Sequence, residues 1–231
     1  MIKLERTNVM NIENAIRGMR NPMNSWDKSD SYCCYDNCHM NDIDSCSDCK
    51  YVNNPDDYIL GDNDLDLAQR LCKAGSDHRK FLRQIFVSVD ITAPLYWWKQ
   101  MDTYHIGTTT NSTSTMHKIQ SKPISLDDFS IDNFVVEDNY INIELKDMFI
   151  NVIADCEALR KKFVETKDKK YWKGLIQLLP SSYNQLRTCT MTYENLRNMY
   201  HARKNHKLDE WVEFTEWIKT LPYSKELIIG E

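Results

Sequence analysis

A polar tract in the first half of the chain has the residue types best suited to binding chemistry. It covers residues 97–117, begins with two tryptophans and a lysine, and continues as threonine, serine and asparagine around a single Gly107. These side chains do not build a core, but they supply many small hydrogen-bond donors and acceptors, and the glycine lets the backbone approach a ligand. With His105 and Lys118 nearby, the tract indicates a site for a phosphorylated small molecule. A solvated Thr/Ser loop has the same composition and stays open as an alternative.

The elements that position this tract follow from the spacing of apolar residues. Residues 81–91 alternate in the manner of a strand, and Pro94 then opens a helix that runs to Asp102 and is apolar enough for burial. The polar tract follows this helix as a loop. Paired tryptophans beside an apolar strand are typical of a core, so we do not expect nucleic-acid binding. The strand is predicted to place Phe86, Ser88 and Asp90 on one face and Val87, Val89 and Ile91 on the other.

Helical spacing predicts four further helices, at residues 12–19, 64–73, 145–166 and 170–178. Gly75 and Pro180 stop the second and the fourth. Residues 183–218 are predicted to be mostly helical, with a basic interruption at 203–207. The length of 231 residues and a hydrophobic content of 42% suit a single domain spanning 1–231, with a Cys-rich insertion at about 31–58.

Five of the eight cysteines fall between residues 33 and 49. Two pairs within this cluster have the spacing of zinc ligands, which predicts a structural zinc site. Free thiols in an exposed acidic insertion are the alternative. The predicted ligands are Cys34, Cys38, Cys46 and Cys49.

Composition and charge narrow the class of protein. The net charge is -5, so any anion site must be made locally from clustered cations and backbone amides. The charged N-terminal segment predicts no signal peptide, and no apolar run approaches the roughly 20 residues of a membrane span. We therefore expect a soluble, cytoplasmic protein with no membrane partner. No P-loop, dinucleotide-binding or serine-nucleophile motif is present, and Cys156 and Cys189 are predicted to be structural.

The order of motifs from Phe86 to Met116 resembles that of the flavin-dependent thymidylate synthases. The strand is followed by Ala-Pro-Leu-Tyr, then by Gln100, and then by the polar tract at the position of the family signature Arg-His-Arg-x-x-Ser-x-x-x-x-Ser-x-Arg. A second block agrees, and the resemblance spans roughly residues 64 to 221. That block contains Leu179, Pro180, Asn198, Arg203 and Trp211.

The signature also departs from the family pattern at its cationic positions. Residues 103–105 read Thr-Tyr-His where the family has Arg-His-Arg, and Thr115 stands at the last arginine. Ile176 and Gln177 occupy the place of an arginine before Leu-Pro. In the family these arginines hold phosphate groups, so this chain must use other residues for any phosphate contact.

The resemblance implies an α+β fold, with an antiparallel sheet packed with helices, in an intertwined homotetramer. It implies reductive methylation of dUMP to dTMP, with FAD as cofactor and with NADPH and methylene-tetrahydrofolate as co-substrates. Arg203 is implied to stabilise charge on the pyrimidine as the catalytic residue. The nucleotide-binding residues would be Gln100, Asn111, Thr113, Ser114 and Arg203, and the flavin-binding residues His78, His105, Thr108 and Asn198.

Two other functions remain open. The residues that replace the family's phosphate and base contacts would suit an enzyme that modifies another pyrimidine nucleotide. A catalytically inactive scaffold protein, stabilised by the zinc-binding cysteines, would retain the fold without the reaction.

Overall fold

The computed structural model describes residues 2–33, 58–132 and 145–230, which form two compact units. The first unit comprises Met1–Thr7, Ser88–Thr190 and His206–Phe214. The second comprises Asn8–Val87, Met191–Asn205 and Thr215–Glu231. Each unit is therefore assembled from three separate stretches of chain.

Helices and strands are mixed along the described ranges. The strands are β1 (Lys3–Met10), β2 (Tyr32–Cys33), β3 (Tyr58–Ile59), β4 (Phe86–Pro94), β5 (Thr109–Ser112) and β6 (Asn184–Thr192). The helices are α1 (Ile12–Met19), α2 (Asp62–Ala74), α3 (Leu95–Met101), α4 (Thr115–Lys118), α5 (Leu145–Thr166), α6 (Lys169–Leu178), α7 (Tyr193–Arg203) and α8 (Asp209–Lys219). No helix in these ranges has the length and apolar content needed to cross a membrane.

Four strands form one sheet in the order β1-β4-β6-β5, and β2 and β3 form a separate pair. The β5–β6 and β2–β3 pairs are antiparallel. Strand β4 confirms the predicted alternation, since Val87, Val89 and Ile91 are buried while Phe86 is exposed. The strand begins only at Phe86, because Lys80–Arg83 forms a 3-10 turn.

The predicted helices at 12–19, 64–73, 145–166 and 170–178 are all confirmed within one or two residues at each end. Helix α2 ends at Gly75 as expected, and this glycine has a φ of 112°, a conformation that a side chain would disfavour. The helix predicted after Pro94 is α3.

Two secondary-structure predictions were wrong, and they concern one pair of strands. Part of the polar tract is strand β5 and not a loop, and Asn184–Thr192 is strand β6 and not helix. In β6 the buried Gln185, Cys189 and Met191 alternate with more exposed positions, and its threonines are β-branched residues that favour strands. The polar residues of β5 are all exposed, so backbone pairing and not burial determines their conformation.

The core of the first unit contains two aromatic clusters. In one, Trp97 and Trp98 are almost fully buried and meet edge to face, and Trp97 also packs against Trp211 and Phe214. The predicted core role of the paired tryptophans is thus confirmed. In the other, Phe129 packs edge to face against Phe149 and Tyr183.

A salt bridge in the first unit holds the segment after α4 against helix α5. Glu157 receives two hydrogen bonds from Arg160, at 2.6 and 2.7 Å, and a third from the backbone N–H of Ile124. Arg160 also donates to the carbonyl of Gln120 at 3.1 Å. The hydrogen bonds from Arg160 lower the pKa of Glu157 to about 2 against the opposing effect of burial.

The second unit contains a fully buried ion pair. Arg20 and Asp64 are 3% and 0% exposed, and the Arg20 Nε donates to the carboxylate at 2.5 Å. Asp64 also accepts hydrogen bonds from the hydroxyls of Ser29 and Ser31. Burial raises the pKa of Asp64, but the hydrogen bonds from Ser31, Ser29 and Arg20 outweigh it, so the pKa lies below its ordinary value.

Replacement of Asp64 by asparagine should lower the free energy of unfolding by about 3–5 kcal/mol, because it leaves the buried guanidinium of Arg20 without a counter-charge. Urea denaturation would measure the change. Asp66→Asn is the matched control on the same helix, since Asp66 and Arg70 form an exposed pair of about 1 kcal/mol or less. Equal losses in the two variants would contradict the importance of burial.

Glu157→Gln should lower the free energy of unfolding at pH 7 by about 2 kcal/mol, since it removes a charged hydrogen-bonding partner. The folded-state pKa of about 2 lies below the ordinary 4.5. The contribution of Glu157 is therefore complete above about pH 4.5 and is lost as the pH falls towards 2. Denaturation curves at several pH values should show wild type and variant converging in acid. Glu165→Gln, in an exposed pair with Lys162, should show little effect at any pH.

Candidate functional site

A cleft of about 460 Å³ in the first unit begins where β5 ends. Thr113 and Ser114, both predicted to contact a nucleotide, line this cleft together with Lys118. The structure therefore brings these three residues together. The other lining residues are Lys3, Thr92, Thr115, Ile119, Ser121, Lys122, Asp127, Asp128, Tyr183, Asn184 and Leu186.

Short hydrogen bonds fix the chain where it enters the cleft. The backbone N–H of Thr113 donates to the carbonyl of Leu186 at 2.9 Å, and the side chain of Gln185 donates to the carbonyl of Thr113 at 2.7 Å. The hydroxyl oxygen of Ser114 accepts from the backbone N–H of His117 at 2.9 Å and so caps α4. These hydrogen bonds consequently order the backbone of the tract, and the Ser114 hydroxyl hydrogen can still point to a ligand.

Strand β6 is itself held by a contact between an arginine and a tryptophan. The guanidinium of Arg187 lies 4.2 Å from the ring centre of Trp98 and donates to Asp102 at 2.6 Å. The Trp98 indole N–H donates to the carbonyl of Gln185 at 3.0 Å. In the antiparallel register Arg187 is opposite Ser112, so the contact between Arg187 and Trp98 holds β6 where it pairs with the polar strand β5.

The charges that line the cleft favour an anion. Three lysines, Lys3, Lys118 and Lys122, face two aspartates, Asp127 and Asp128. Lys122 forms an ion pair with Asp128 at 2.7 Å, and this hydrogen bond raises its pKa. The remaining lysines exceed the remaining carboxylate by one, which is a local positive charge in a chain with a net charge of -5.

A larger cleft of about 610 Å³ in the same unit has the opposite charge. Four carboxylates face one lysine there, and a phosphate would be repelled. The hydroxyl of Tyr96 donates to the buried carboxylate of Glu210. Burial raises the pKa of Tyr96, and the hydrogen bond to Glu210 raises it further. The charged lining residues are Asp132, Lys207, Asp209, Glu210 and Glu213.

Four other predicted site residues of the first unit lie outside the smaller cleft. Gln100 is at the end of α3, and its side-chain oxygen accepts from the Trp211 indole at 2.8 Å. His105 is exposed in the turn after α3, and Asn111 is exposed on β5 opposite Thr188. Thr108 differs from these, because its hydroxyl oxygen is buried and has no hydrogen-bond partner among the described residues.

The remaining predicted residues belong to the second unit or to undescribed parts of the chain. Arg203 is the half-buried last residue of α7, Asn198 is exposed on the same helix, and His78 is exposed in the turn after Gly75. The predicted zinc ligands Cys34, Cys38, Cys46 and Cys49 all lie outside the described residues. Within residues 2–33, 58–132 and 145–230 no cluster of metal-binding side chains occurs.

Sequence reasoning missed several residues that line the cleft or support it. Lys122 follows Lys118 by only four residues, so the sequence could have indicated it as a second cation of the same segment. Lys3 and Tyr183 carry no such signal, since each is more than 60 residues from Lys118. Arg187 had no motif and is recognised only by its contact with Trp98.

The described free thiols are not poised for nucleophilic attack. Cys72, Cys156 and Cys189 are all buried. Burial raises the pKa of Cys72 and Cys156 to about 11 and that of Cys189 to about 12. Almost no thiolate forms at neutral pH at such pKa values, so these cysteines have the structural role that was predicted for Cys156 and Cys189.

No protein-family model and no curated protein sequence matches this chain. Solved structures do match it. Thymidylate synthase X (ThyX) from Helicobacter pylori, determined with FAD and dUMP, has a TM-score of 0.64 at 13% identity over 99% of this chain and 97% of its own. A second H. pylori structure of flavin-dependent ThyX with FAD and dUMP has a TM-score of 0.63 at 13% identity, over 98% and 97% of the two chains.

The UMP/dUMP methylase PolB from Streptomyces cacaoi, bound with 5-Br dUMP, has a TM-score of 0.59 at 10% identity over 100% of this chain and 95% of its own. At such identities the likeness shows the fold. The described residues thus have a mixed helix and antiparallel-sheet fold like that of these enzymes, as the resemblance in sequence predicted.

Proposed function

We propose that this chain is a flavin-dependent enzyme that methylates C5 of a uracil nucleotide, converting dUMP to dTMP. The observation that carries the proposal is the similarity of fold, over nearly the whole of both chains, to an enzyme solved with FAD and dUMP. The similarity to a UMP/dUMP methylase adds support, because a second enzyme with this fold acts on the same base. Fold alone does not determine function, so the residues of the site must support the reaction as well.

The cleft after β5 supports a nucleotide substrate. Thr113 and Ser114 line it, its excess charge is positive, and its volume of about 460 Å³ falls within the range of small-molecule sites. Gln100 and Asn111, which lie outside this cleft, are the further residues proposed to contact the nucleotide. The contact with Trp211 fixes the orientation of the Gln100 amide, which a residue that recognises a base requires.

Arg203 is the proposed catalytic residue. A guanidinium beside a pyrimidine carbonyl would stabilise negative charge that develops on the ring when C5 becomes nucleophilic. The raised pKa values of Cys72, Cys156 and Cys189 agree with a mechanism in which none of these three thiols attacks the ring. Protein groups would then bind and orient the substrate and exclude water.

The residues proposed to hold FAD are His78, His105, Thr108 and Asn198. The buried hydroxyl of Thr108, which lacks a partner among the described residues, fits a ligand that supplies a hydrogen-bonding atom. The exposed imidazole of His105 fits a contact with a phosphate or ring atom. When bound and reduced, FAD would supply the hydride of the reaction, with NADPH as its reductant and methylene-tetrahydrofolate as the source of carbon.

The similarity to PolB favours a second candidate substrate, the ribonucleotide UMP. Thermal-shift measurements with dUMP and UMP would separate the two, since the ligand that binds more tightly raises the melting temperature more at equal concentration. A homotetramer and a zinc ion bound by Cys34, Cys38, Cys46 and Cys49 are also part of the proposal. Light scattering and metal analysis of the purified protein test them.

The purified protein should be yellow or become yellow with FAD, and should convert dUMP to dTMP when NADPH and methylene-tetrahydrofolate are added. Arg203→Ala should reduce kcat by roughly 100-fold, the typical effect of removing a group that stabilises developing charge. Arg17→Ala is the matched control, because Arg17 is likewise in the last turn of a helix and is exposed. Protein that is colourless once the unbound FAD has been removed, or full activity of Arg203→Ala, would count against the proposal.

Thr108→Val should weaken FAD binding about tenfold without loss of thermal stability. Valine keeps the shape of threonine, and removing a buried hydroxyl that has no partner costs the folded protein little. Fluorescence quenching on titration with FAD would measure affinity, and calorimetry would measure stability. Thr110→Val, at an exposed position of β5, should change neither quantity. A lower melting temperature with unchanged FAD affinity would show that the Thr108 hydroxyl is structural.

A further inference from the structure

The cleft after β5 has lysines from two separated stretches of the first unit. Lys3 comes from β1, Lys118 from α4, and Lys122 from the segment that follows α4. Lys122 is already paired with Asp128. Lys3 and Lys118 form no ion pair with any residue in the described ranges. Two ammonium groups are therefore available to an incoming anion.

A buried tyrosine adds a hydrogen-bond donor to these cations. Tyr183 lines the cleft although the residue is only 8% exposed, and its ring packs edge to face against Phe129. Its backbone is also fixed, since its carbonyl accepts from the N–H of Leu95 at 3.0 Å. Its hydroxyl has no hydrogen-bond partner in the part of the chain that the structure describes.

The electrostatics of Tyr183 keep this hydroxyl protonated. Burial raises its pKa, and the charge of Lys122 only partly opposes the rise. At neutral pH the phenol is therefore neutral and can donate to an oxygen anion. The phenol lies at the accessible wall of a cleft whose excess charge is positive, so its hydroxyl can donate to an anionic ligand that binds there.

Hydrogen bonds to its backbone carbonyls hold the segment that carries Lys118 in place. Arg160 donates to the carbonyl of Gln120, and the Trp172 indole donates to the carbonyl of Met116 at 2.7 Å. These contacts come on either side of Lys118 in the sequence. The lysine thus projects from a backbone that is fixed at both ends, which lowers the entropy lost when it contacts a ligand.

We propose that Lys118 and the Tyr183 hydroxyl bind the phosphate monoester of the nucleotide, with Lys3 as a second cation. This inference rests on the proposed function and identifies the group that the site recognises. A phosphate monoester carries up to two negative charges and several acceptor oxygens, which suit two ammonium groups and a phenol. The two lysines exceed Asp127 by one charge, so the cleft stays positive. The larger cleft of the same unit, with four carboxylates, has the wrong charge for this ligand.

The test compares three probes: dUMP, deoxyuridine, which lacks the phosphate, and inorganic phosphate. Isothermal titration of the full-length protein should show that wild type binds dUMP at least tenfold more tightly than deoxyuridine. Lys118→Gln should weaken dUMP binding about 10- to 100-fold, the range expected for a charged hydrogen bond, and leave deoxyuridine binding unchanged. Tyr183→Phe, which keeps the ring packing, should weaken dUMP binding about tenfold.

Lys173→Gln is the matched control, since Lys173 is exposed on α6 and does not line the cleft. It should leave all three affinities unchanged. Circular dichroism and the melting temperature of each variant establish that it is folded. Equal affinity of wild type and folded Lys118→Gln for dUMP would overturn the proposal, as would equal affinity of wild type for dUMP and deoxyuridine.

Inorganic phosphate separates this inference from the proposed function. If the protein binds phosphate in a way that depends on Lys118 but binds neither dUMP nor FAD, the phosphate site stands and the proposed reaction fails. If FAD and dUMP bind but the Lys118 and Tyr183 variants behave as wild type, the proposed function stands and this site is wrong. If phosphate raises the melting temperature of neither wild type nor variants and dUMP does not bind, both are wrong.

Discussion

The antiparallel pairing of β5 with β6 is the interaction on which the candidate site depends. Strand β5 consists of Thr109, Thr110, Asn111 and Ser112, all exposed, so hydrophobic burial cannot hold it. Backbone hydrogen bonds to β6 fix the conformation of β5 instead. The pairing continues past the end of β5, because the N–H of Thr113 donates to the carbonyl of Leu186. A polar segment can therefore enter the cleft in a defined conformation and keep side chains available for a ligand.

The order of β6 depends in turn on the aromatic core beneath it. Trp98 is buried, donates to the carbonyl of Gln185 and lies under the guanidinium of Arg187. The side chain of Gln185 then fixes the backbone of the tract through its hydrogen bond to the carbonyl of Thr113. The two tryptophans at the start of the tract are thus the rigid support of the polar residues that follow them, and each step between core and cleft is a specific hydrogen bond or ring contact.

The two clefts of the first unit differ more in charge than in volume. The larger cleft has an excess of carboxylates, whereas the smaller cleft has an excess of lysines. In an acidic protein the overall field does not attract a phosphorylated ligand, so a local cluster must do so. Arginines are missing from the signature positions, and the lysines of the smaller cleft stand at other positions of the chain. A lysine differs from an arginine because its ammonium is a compact point charge and does not form a planar fork, so substitution of one for the other changes the geometry of recognition.

The sequence by itself determined most of the helices, the buried face of β4, the burial of Trp97 and Trp98 and the order of motifs that resembles one enzyme family. These features depend on the periodicity of neighbouring residues and on turn-forming residues such as Gly75, so local sequence contains the information. Only the tertiary structure decided that Thr109–Ser112 and Asn184–Thr192 are strands, because their pairing joins residues more than 70 positions apart. It also decided the composition of the cleft, since Lys3, Lys118 and Tyr183 become neighbours only when distant segments pack together, and charge at a site is a sum over neighbours in space.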